Sequence, residues 1–240
     1  MEENLFCDNN QDHNNYFNFR SVSGLTYIQH RLPNWIRNEL KDSCKILDYG
    51  CGLGQNLIAL RAENYMNVFG LDIDQHAIDN CQKQGLSVRK LDSKDIINPF
   101  HHRFDVVLMN HVLEHIPKNE TIRTLSLIRR DFLADNGKLL ISVPNAQANT
   151  GCYWAYEDWT HRTIFTSGSL LYVLRSAGFD SVEFLDIDCT AGSSNFKKFI
   201  RRFLLNLYRQ NRLFWNKITC SAYHQPSPMI FSYEIKAKAS

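Results

Sequence analysis

The stretch ILDYGCGLGQN at 46–56 contains three glycines at every second position, Gly50, Gly52 and Gly54. They follow a short apolar run and Asp48. Glycine accepts positive φ angles, and its missing Cβ lets the backbone approach a ligand closely. The apolar run is predicted as a buried strand, and the residues from Gln55 onward as a helix. A strand, a glycine turn and a helix in this order favour a site for a nucleotide-type ligand.

Ionisable side chains form two further groups that could accept or donate protons. The first group contains His111, Glu114 and His115 and follows the apolar run FDVVLMN. The second group is the segment YEDWTHRTIFT at 156–166, which also contains aromatic rings. Imidazole and carboxylate groups are common general acids and bases, so both groups are candidates for catalysis.

Apolar runs alternate with helical patterns along most of the chain. This alternation predicts a fold in which the glycine turn and the two ionisable groups lie close together. Strands are predicted at 45–49, 67–71, 87–90, 104–110, 138–144, 179–187 and 229–236, and helices at 55–63, 75–84, 118–133 and 167–177. The alternation predicts an α/β fold, a largely parallel sheet with helices on both faces. In such a doubly wound sheet the ligand binds at the carboxyl ends of the strands, where the glycine turn and both ionisable groups lie.

The length of 240 residues favours one domain. Within it we expect a helical lid at 1–42, a ligand-binding core at 43–188, a basic helical insertion at 190–226 and the last strand at 228–238.

Composition and charge exclude several classes of protein. Hydrophobic residues make up 44% of the chain and charged residues 22%, and no apolar run approaches the roughly 20 residues of a membrane span. The acidic, Asn-rich start does not resemble a secretory signal, and the seven scattered cysteines indicate neither a zinc site nor a disulfide framework. A net charge of +2 does not indicate a nucleic-acid partner, so we expect a cytoplasmic protein without one.

Two common nucleotide motifs do not fit the glycine turn. The dinucleotide pattern G-x-G-x-x-G would need a glycine in place of Gln55, and the Gly-Lys-Ser/Thr ending of a P-loop is absent. The chain instead resembles the class I S-adenosylmethionine-dependent methyltransferases in the motifs LDYGCGLG, VFGLDID, VRKLDSKDI, FDVVLMNHVLEHI and LADNGKLLISVPN. The resemblance extends over about 27–187. It implies a Rossmann-like, mostly parallel seven-stranded sheet with an antiparallel last strand, and S-adenosylmethionine as the cofactor.

The resemblance also implies roles for individual residues. Asp72 would bind the ribose hydroxyls, because a carboxylate can accept two hydrogen bonds, while Asp92 and Ser93 would hold the adenine edge. The glycine turn would approach the amino-acid part of the cofactor, and Asp48 would orient the turn and the bound amino group. The other residues assigned to this site are Gly50, Cys51, Gly52, Gln55, Asn56, Ile73 and Asn110.

Methyl transfer is an in-line displacement that depends mainly on alignment, and an alcohol acceptor must also lose a proton. His161 is the first candidate for the general base, and His111 and Asp158 are further catalytic candidates. The alternative roles are structural: His161 would bond to the loop backbone, Asp158 would cap the turn and His111 would line the pocket. No catalytic metal is expected, because the metal-dependent catechol-type branch has acidic ligands where this chain has Asn110 and His111.

The run that begins THRTIFT at Thr160 and ends AGF at Phe179 resembles methyltransferases of bacterial surface-polysaccharide and sugar modification. That resemblance implies a small sugar-like acceptor, phosphorylated and nucleotide-linked forms included, that is methylated on oxygen. The alternatives are N-methylation of a small amine and a protein that keeps the fold without methylating, such as a lyase or a regulatory subunit. A nicotinamide-dependent oxidoreductase is disfavoured by Gln55.

Residues 195–217 predict an amphipathic helix whose charged side chains are all positive. Four roles remain open for this basic helix. It could contact an anionic membrane, bind a phosphorylated or nucleotide-linked acceptor, pack on a second subunit of an oligomer, or pack on its own domain.

Overall fold

A computed structural model describes residues 31–92, 95–221 and 228–240, so most of the expected lid at 1–42 and the predicted site residue Ser93 lie outside the described residues. The strands are β1 (Ile46–Tyr49), β2 (Val68–Asp72), β3 (Val88–Lys90), β4 (Phe104–Asn110), β5 (Leu133–Pro144), β6 (Val182–Leu185) and β7 (Glu234–Ala239). The helices are α1 (Asn34–Arg37), α2 (Gln55–Ala62), α3 (Gln75–Lys83), α4 (Thr121–Leu127), α5 (Tyr153–Tyr156), α6 (Ser167–Ser176) and α7 (Asn195–Ile218).

The strands form one sheet in the order β3-β2-β1-β4-β5-β7-β6. The pairs among the first five strands of this order are parallel, and β7 runs antiparallel to both β5 and β6. The predicted Rossmann-like, mostly parallel sheet of seven strands is therefore confirmed. Parallel pairing also brings the carboxyl ends of β1, β2 and β4 to one edge of the sheet, where the candidate residues follow.

Side chains of the central strands alternate between two apolar layers, as the period of two in a β-strand requires. Val107 of β4 packs in the layer that is covered by α4 and α6. Val106 and Leu108 pack in the opposite layer, which is covered by α1, α2 and α3. All three side chains are fully buried, so the sheet has an apolar core on each face.

The last strand begins later than predicted, at Glu234 instead of Met229. The side-chain amide of Asn145 donates hydrogen bonds to the carbonyls of Ile230 and Ser232, both at 2.8 Å, and holds this part of the chain in a loop. Pairing with β5 then starts opposite Pro144, and beyond this pair the amide of Asn145 donates one further hydrogen bond to the carbonyl of Tyr233, at 2.9 Å.

Other boundaries also differ from the predictions. The sixth strand is shorter than the predicted 179–187, and α4 begins at Thr121, after a turn that bonds Glu120 to Pro117, rather than at 118. The helical region that begins with α4 ends in a π-helical turn at Ile128–Phe132. The basic helix at 195–217 is present as α7, and the side chain of Ser194 accepts a hydrogen bond from the amide of Lys197 and caps its start.

A pair of glycines provides a stability test of the glycine turn. Gly54 has a φ of +84°, and an added Cβ would lie 2.6 Å from Cδ1 of Leu86 and 3.0 Å from Sγ of Cys81. Gly85 has a φ of +71°, but nothing lies within 4 Å of its added Cβ. We expect Gly85→Ala to lower the free energy of unfolding by about 1–2 kcal/mol through backbone strain. Gly54→Ala should lower it by about 1–3 kcal/mol more through overpacking. Urea unfolding of both variants measures the difference, and equal losses would contradict the packing argument.

Candidate active site

The glycine turn between β1 and α2 is bonded to the end of β2. The amides of Gly50 and Cys51 donate hydrogen bonds to the carbonyl of Leu71, at 2.7 and 2.8 Å. All three glycines of the turn have positive φ angles. A Cβ on Gly50 would lie 2.3 Å from Cγ2 of Val112, so a side chain has no room there. The turn therefore presents backbone at the edge of the sheet, as the sequence predicts.

The Asp72 carboxylate holds this turn in place. Its Oδ2 accepts a hydrogen bond from the amide of Gly52 at 2.7 Å, and its Oδ1 accepts one from the amide of Asp74 at 2.9 Å. A carboxylate oxygen has two lone pairs and can accept more than one hydrogen bond. Asp72 thus combines a structural contact with a position at the strand end where a ribose would bind, and the ribose role stays a prediction.

Asp48 is almost completely buried beneath the turn, with 1% of its surface exposed. Its Oδ1 accepts a hydrogen bond from the side-chain amide of Asn56 at 3.2 Å, and its Oδ2 has no partner within the part of the chain that is described. Burial raises the pKa of Asp48 to about 7. The hydrogen bond from Asn56 lowers this pKa, and the negative charge of Asp72 raises it further. A positively charged group at Oδ2 would stabilise the ionised form.

The other predicted cofactor residues surround the turn at different depths. Cys51 is a buried residue of the turn itself, whereas Gln55 and Asn56 are the half-buried first residues of α2. The remaining described residues end or follow the strands β2, β3 and β4: Ile73, Asp92 and Asn110. The fold thus brings the predicted residues to one edge of the sheet, except for Ser93, which is not described.

Glu114 connects the segment after β4 with the loop after α5. Its backbone carbonyl accepts hydrogen bonds from the amides of Arg162 and Thr163, at 2.7 and 3.2 Å. Its side chain is fully buried, and Oε1 lies 3.1 Å from Nδ1 of His111 and 4.0 Å from Nε2 of His161. Oε2 has no hydrogen-bond partner among the residues that the structure describes. One buried carboxylate therefore organises both groups of ionisable residues that the sequence singles out.

His161 has a side chain that is only 7% exposed. Its Nδ1 bonds to the carbonyl of Trp154, which makes Nδ1 the protonated nitrogen of the neutral ring and leaves Nε2 as the acceptor. Nε2 lies 3.8 Å from Oδ2 of Asp158. Oδ1 of Asp158 accepts hydrogen bonds from the amide and the hydroxyl of Thr160, at 3.0 and 2.6 Å. The contacts expected for structural roles are thus present, and the catalytic roles of His161 and Asp158 stay predictions.

His115 completes a compact group beside Glu114. Its ring centroid lies 4.8 Å from that of His161, and its Nδ1 lies 2.8 Å from Oγ1 of Thr160. Glu114, His115 and His161 each have one potential metal-ligand atom within 4.8 Å of the other two. His161 donates to the carbonyl of Trp154, and His115 donates to the Thr160 hydroxyl, whose own hydrogen goes to Asp158. These hydrogen bonds orient both imidazoles, so the group does not need an ion to keep its geometry. The expectation that catalysis uses no metal stays a prediction.

His111 lies between two carboxylates and has a left-handed backbone conformation, with a φ of 53°. Its Nδ1 is 3.1 Å from Oε1 of Glu114, and its Nε2 is 3.2 Å from Oε2 of Glu234. Burial opposes the charged ring, but the two carboxylates outweigh this effect and raise the pKa of His111 to about 10. Since 44% of the side chain remains exposed, solvent screens part of the attraction. His111 is a cation at neutral pH and hence a hydrogen-bond donor rather than an available base.

Two neighbours of the candidate residues have no signal in the local sequence. Glu234 reaches His111 because β7 pairs with β5 and sets Glu234 opposite Pro144. The pKa of Glu234 is raised by burial, but His111 and Lys236 outweigh this effect and lower it, so the group is an anion. The carbonyl of Trp154 accepts a hydrogen bond from His161, seven residues later, because the loop between them folds back. The only relevant expectation from the sequence was an antiparallel last strand, which the family resemblance implied and which contains Glu234.

A family model described as a methyltransferase domain matches residues 5–183 of the chain. Among curated proteins, the ribosomal protein L11 methyltransferase of Dechloromonas aromatica (strain RCB) is 32% identical over 80 residues, which are 32% of this chain and 26% of that protein. The protein of the same name from Chromobacterium violaceum is 26% identical over 132 residues, which are 52% of this chain and 40% of that protein. The chain thus spans less than half the length of these curated relatives.

Solved structures with the same fold cover nearly the whole chain. A SAM-dependent methyltransferase from Archaeoglobus fulgidus superimposes with a TM-score of 0.59 at 20% identity, over 93% of this chain and 98% of that one. A TehB-like SAM-dependent methyltransferase from Corynebacterium glutamicum ATCC 13032 Kitasato gives 0.56 at 16% identity, over 96% and 97% of the two chains. A structure described as PigF with SAH gives 0.53 at 15% identity, over 86% and 53%. The family match and these neighbours support S-adenosylmethionine as the cofactor.

The charge of His111 provides a pH test of the site. Its pKa of about 10 lies above the ordinary value of 6.5, so its stabilising contribution is complete at lower pH and is lost as the pH rises through about 10. We expect His111→Gln to have a lower melting temperature than the parent protein at pH 6, and the difference to disappear at about pH 11. Circular dichroism melts across this range measure the effect.

A matched experiment in the Glu234→Gln background controls for loss of the ring itself. With one carboxylate gone, the melting difference caused by His111→Gln should disappear at a lower pH than in the parent protein. A difference that stays constant with pH in both backgrounds would contradict the assignment of His111 as a paired cation.

Proposed function

Because the chain belongs to the methyltransferase-domain family, we propose that it transfers a methyl group from S-adenosylmethionine to an oxygen of a small polar acceptor. The acceptor we propose is a sugar or a sugar-like precursor of a polysaccharide, including phosphorylated and nucleotide-linked forms. The observation that carries the proposal is the pairing of two features at one edge of the sheet. A backbone-lined turn follows β1 and the buried Asp48, and the neighbouring strand β4 leads to the cluster of His111, Glu114 and His161.

The residues at the turn fit the cofactor chemically. The unpartnered Oδ2 of Asp48 suits a positively charged amino group, and the glycine turn leaves room for the amino-acid part. Asp72 would accept hydrogen bonds from the ribose hydroxyls, and Asp92 with Ser93 would hold the adenine. The bound cofactor supplies an electrophilic methyl carbon on a positively charged sulfur.

His161 is the group that would accept the proton of the acceptor hydroxyl. The Trp154 carbonyl fixes its Nδ1 hydrogen, so Nε2 is the atom that takes the proton. The nearby carboxylates of Asp158 and Glu114, at 3.8 and 4.0 Å, would stabilise the imidazolium that results. Because His161 is nearly buried, the acceptor must enter the pocket, which keeps water away from the reacting groups.

His111 would act differently from His161. A group that is already protonated at neutral pH cannot take the acceptor proton. Both N–H groups of His111 face carboxylates, so its role would be to hold Glu114 and Glu234 in place and to offset part of their negative charge beside the acceptor. We also propose that turnover needs no metal, since displacement at a methyl carbon can be driven by alignment and desolvation. Unchanged turnover after dialysis against EDTA would agree with this, and recovery by added divalent ions alone would contradict it.

A second candidate function is methylation of nitrogen in a protein or a small amine. Two curated relatives are described as ribosomal protein L11 methyltransferases, although they match only part of their length. The site also contains three carboxylates, Glu114, Asp158 and Glu234, against the two cations His111 and Lys236, and this excess of negative charge would tolerate an ammonium acceptor. A non-methylating protein of the same fold would consume no cofactor with either class of acceptor.

A panel of acceptors distinguishes these candidates. The full chain is incubated with radiolabelled S-adenosylmethionine and, separately, with sugar nucleotides, sugar phosphates, small amines and ribosomal protein L11. We expect label to enter the sugar compounds, and mass spectrometry should find the methyl group on oxygen. Transfer only to amines or to protein would replace the acceptor proposal, and cofactor binding without transfer to any compound would contradict an enzymatic role.

The role of His161 has a separate test. Removing a general base lowers turnover by about 100-fold to 10,000-fold in typical enzymes, so we expect a loss of that order for His161→Gln. The affinity for the cofactor, measured by calorimetry, should stay within about twofold because His161 lies outside the glycine turn. His115→Gln is the matched control, since this neighbouring ring contacts Thr160 and is not assigned a proton transfer. Unchanged turnover in His161→Gln would remove His161 from the role.

A further inference from the structure

The helix α7 exposes an apolar face to solvent along its whole length. Its 24 residues include none that are buried, and at 1.5 Å per residue they extend over about 36 Å. Nine large apolar side chains recur at spacings of three, four and seven residues and are 41–72% exposed. They are Phe196, Phe199, Ile200, Phe203, Leu204, Leu207, Phe214, Trp215 and Ile218. Contiguous exposed apolar surface of this kind marks an interaction site rather than ordinary surface.

The charges of α7 have one sign. The helix contains seven basic residues and no Asp or Glu: Lys197, Lys198, Arg201, Arg202, Arg209, Arg212 and Lys217. The net charge of the whole chain is only +2, so the remainder of the protein is acidic and the positive charge is concentrated here. Any partner of this helix must therefore tolerate a dense positive charge next to a wide apolar strip.

Contacts from the other side of α7 hold it on the domain. Nε of Arg201 donates to the carbonyl of Asp188 at 2.7 Å, and Nε of Arg202 lies 3.0 Å from the Asp188 carboxylate. The hydroxyl of Tyr208 donates to the side chain of Asn149, and its ring packs edge-on against Phe231 at 4.9 Å. These contacts fix the orientation of the helix and leave the apolar face directed away from the domain.

We propose that α7 docks on an anionic membrane surface, with its apolar face among the lipid headgroups and the exposed Lys197, Arg212 and Lys217 at the lipid phosphates. An interfacial helix needs a large apolar face with Phe, Trp and Leu, flanked by Lys and Arg, and α7 has both features. No helix in the described ranges is long and apolar enough to cross a membrane, so α7 would lie parallel to the surface. The proposal does not depend on the identity of the methyl acceptor.

Charge favours a lipid surface over a second copy of the chain. Two α7 helices packed face to face would bring two sets of seven cations together without a single carboxylate on either helix. Such like-charge contacts cost free energy at an interface. An anionic lipid surface offers the opposite charge at its phosphates and apolar chains directly beneath them, and each basic residue near it adds to the attraction.

Vesicle co-sedimentation of the full chain tests the proposal. The vesicles contain either phosphatidylcholine alone or equal amounts of phosphatidylcholine and phosphatidylglycerol. We expect at least about tenfold tighter binding to the anionic vesicles, and loss of most of this difference in concentrated salt. Failure of the full chain to bind anionic vesicles would overturn the proposal.

Paired variants separate the apolar contribution from the charge. Phe199→Ser combined with Phe203→Ser should weaken binding about tenfold or more through lost apolar contact, and Lys197→Glu combined with Arg212→Glu should weaken it by a similar factor. The controls Met66→Ser and Lys83→Glu make the same chemical changes at exposed positions outside α7 and should bind like the parent protein. Unchanged melting temperatures and cofactor affinity would show that every variant is folded.

Two other occupants of the apolar face would be recognised in the same experiments. A parent protein that sediments as a dimer without binding vesicles, and becomes a monomer in the Phe199→Ser and Phe203→Ser variant, would identify a second copy and overturn the proposal. Vesicle binding that appears only after removal of 1–30 would show that the chain covers its own helix, and would overturn it for the full chain. Equal binding by all variants would also overturn it.

Discussion

The hydrogen bond from the Gly52 amide to the Asp72 carboxylate joins the turn after β1 to the end of β2 at 2.7 Å. The amides of Gly50 and Cys51 add two bonds from the same turn to the carbonyl of Leu71. Together these contacts determine where the backbone of the turn lies relative to β2 and to the buried Asp48. The rest of the sheet supports this arrangement, because parallel pairing of β1 with β2 and β4 aligns the three strand ends.

A second carboxylate organises the group of histidines after β4. Glu114 bonds through its backbone carbonyl to the amides of Arg162 and Thr163, and through its side chain to His111. The two histidines near Glu114 have different surroundings. His111 has a carboxylate at each ring nitrogen and is a cation, whereas His161 has a carbonyl at one nitrogen and longer distances to carboxylates at the other. One fold thus places a positive charge and a potential proton acceptor beside the same buried carboxylate.

The sequence predicted those features that depend on local patterns. Apolar runs and glycines located β1, β2, β4 and the turn, and the spacing of apolar residues located α7 to within one residue at its end. Features that depend on distant contacts were not predictable in this way. The start of β7 is determined by the side chain of Asn145, and the charge of His111 depends on Glu234, which is 123 residues away. The lid expected at 1–42 is described only from residue 31, and there α1 packs Trp35 and Ile36 into the core.

The position of β7 between β5 and β6 has a consequence for biosynthesis. β6 pairs with β7 alone among the described strands, and β5 uses its outer edge for the same partner. A nascent chain that has not yet reached residue 234 exposes the ladder groups of β5 and cannot attach β6 to the sheet. Unpaired apolar strand edges readily associate with other chains. Until Glu234–Ala239 are synthesised and paired, the outer edge of β5 and the strand β6 therefore have no partner in this sheet.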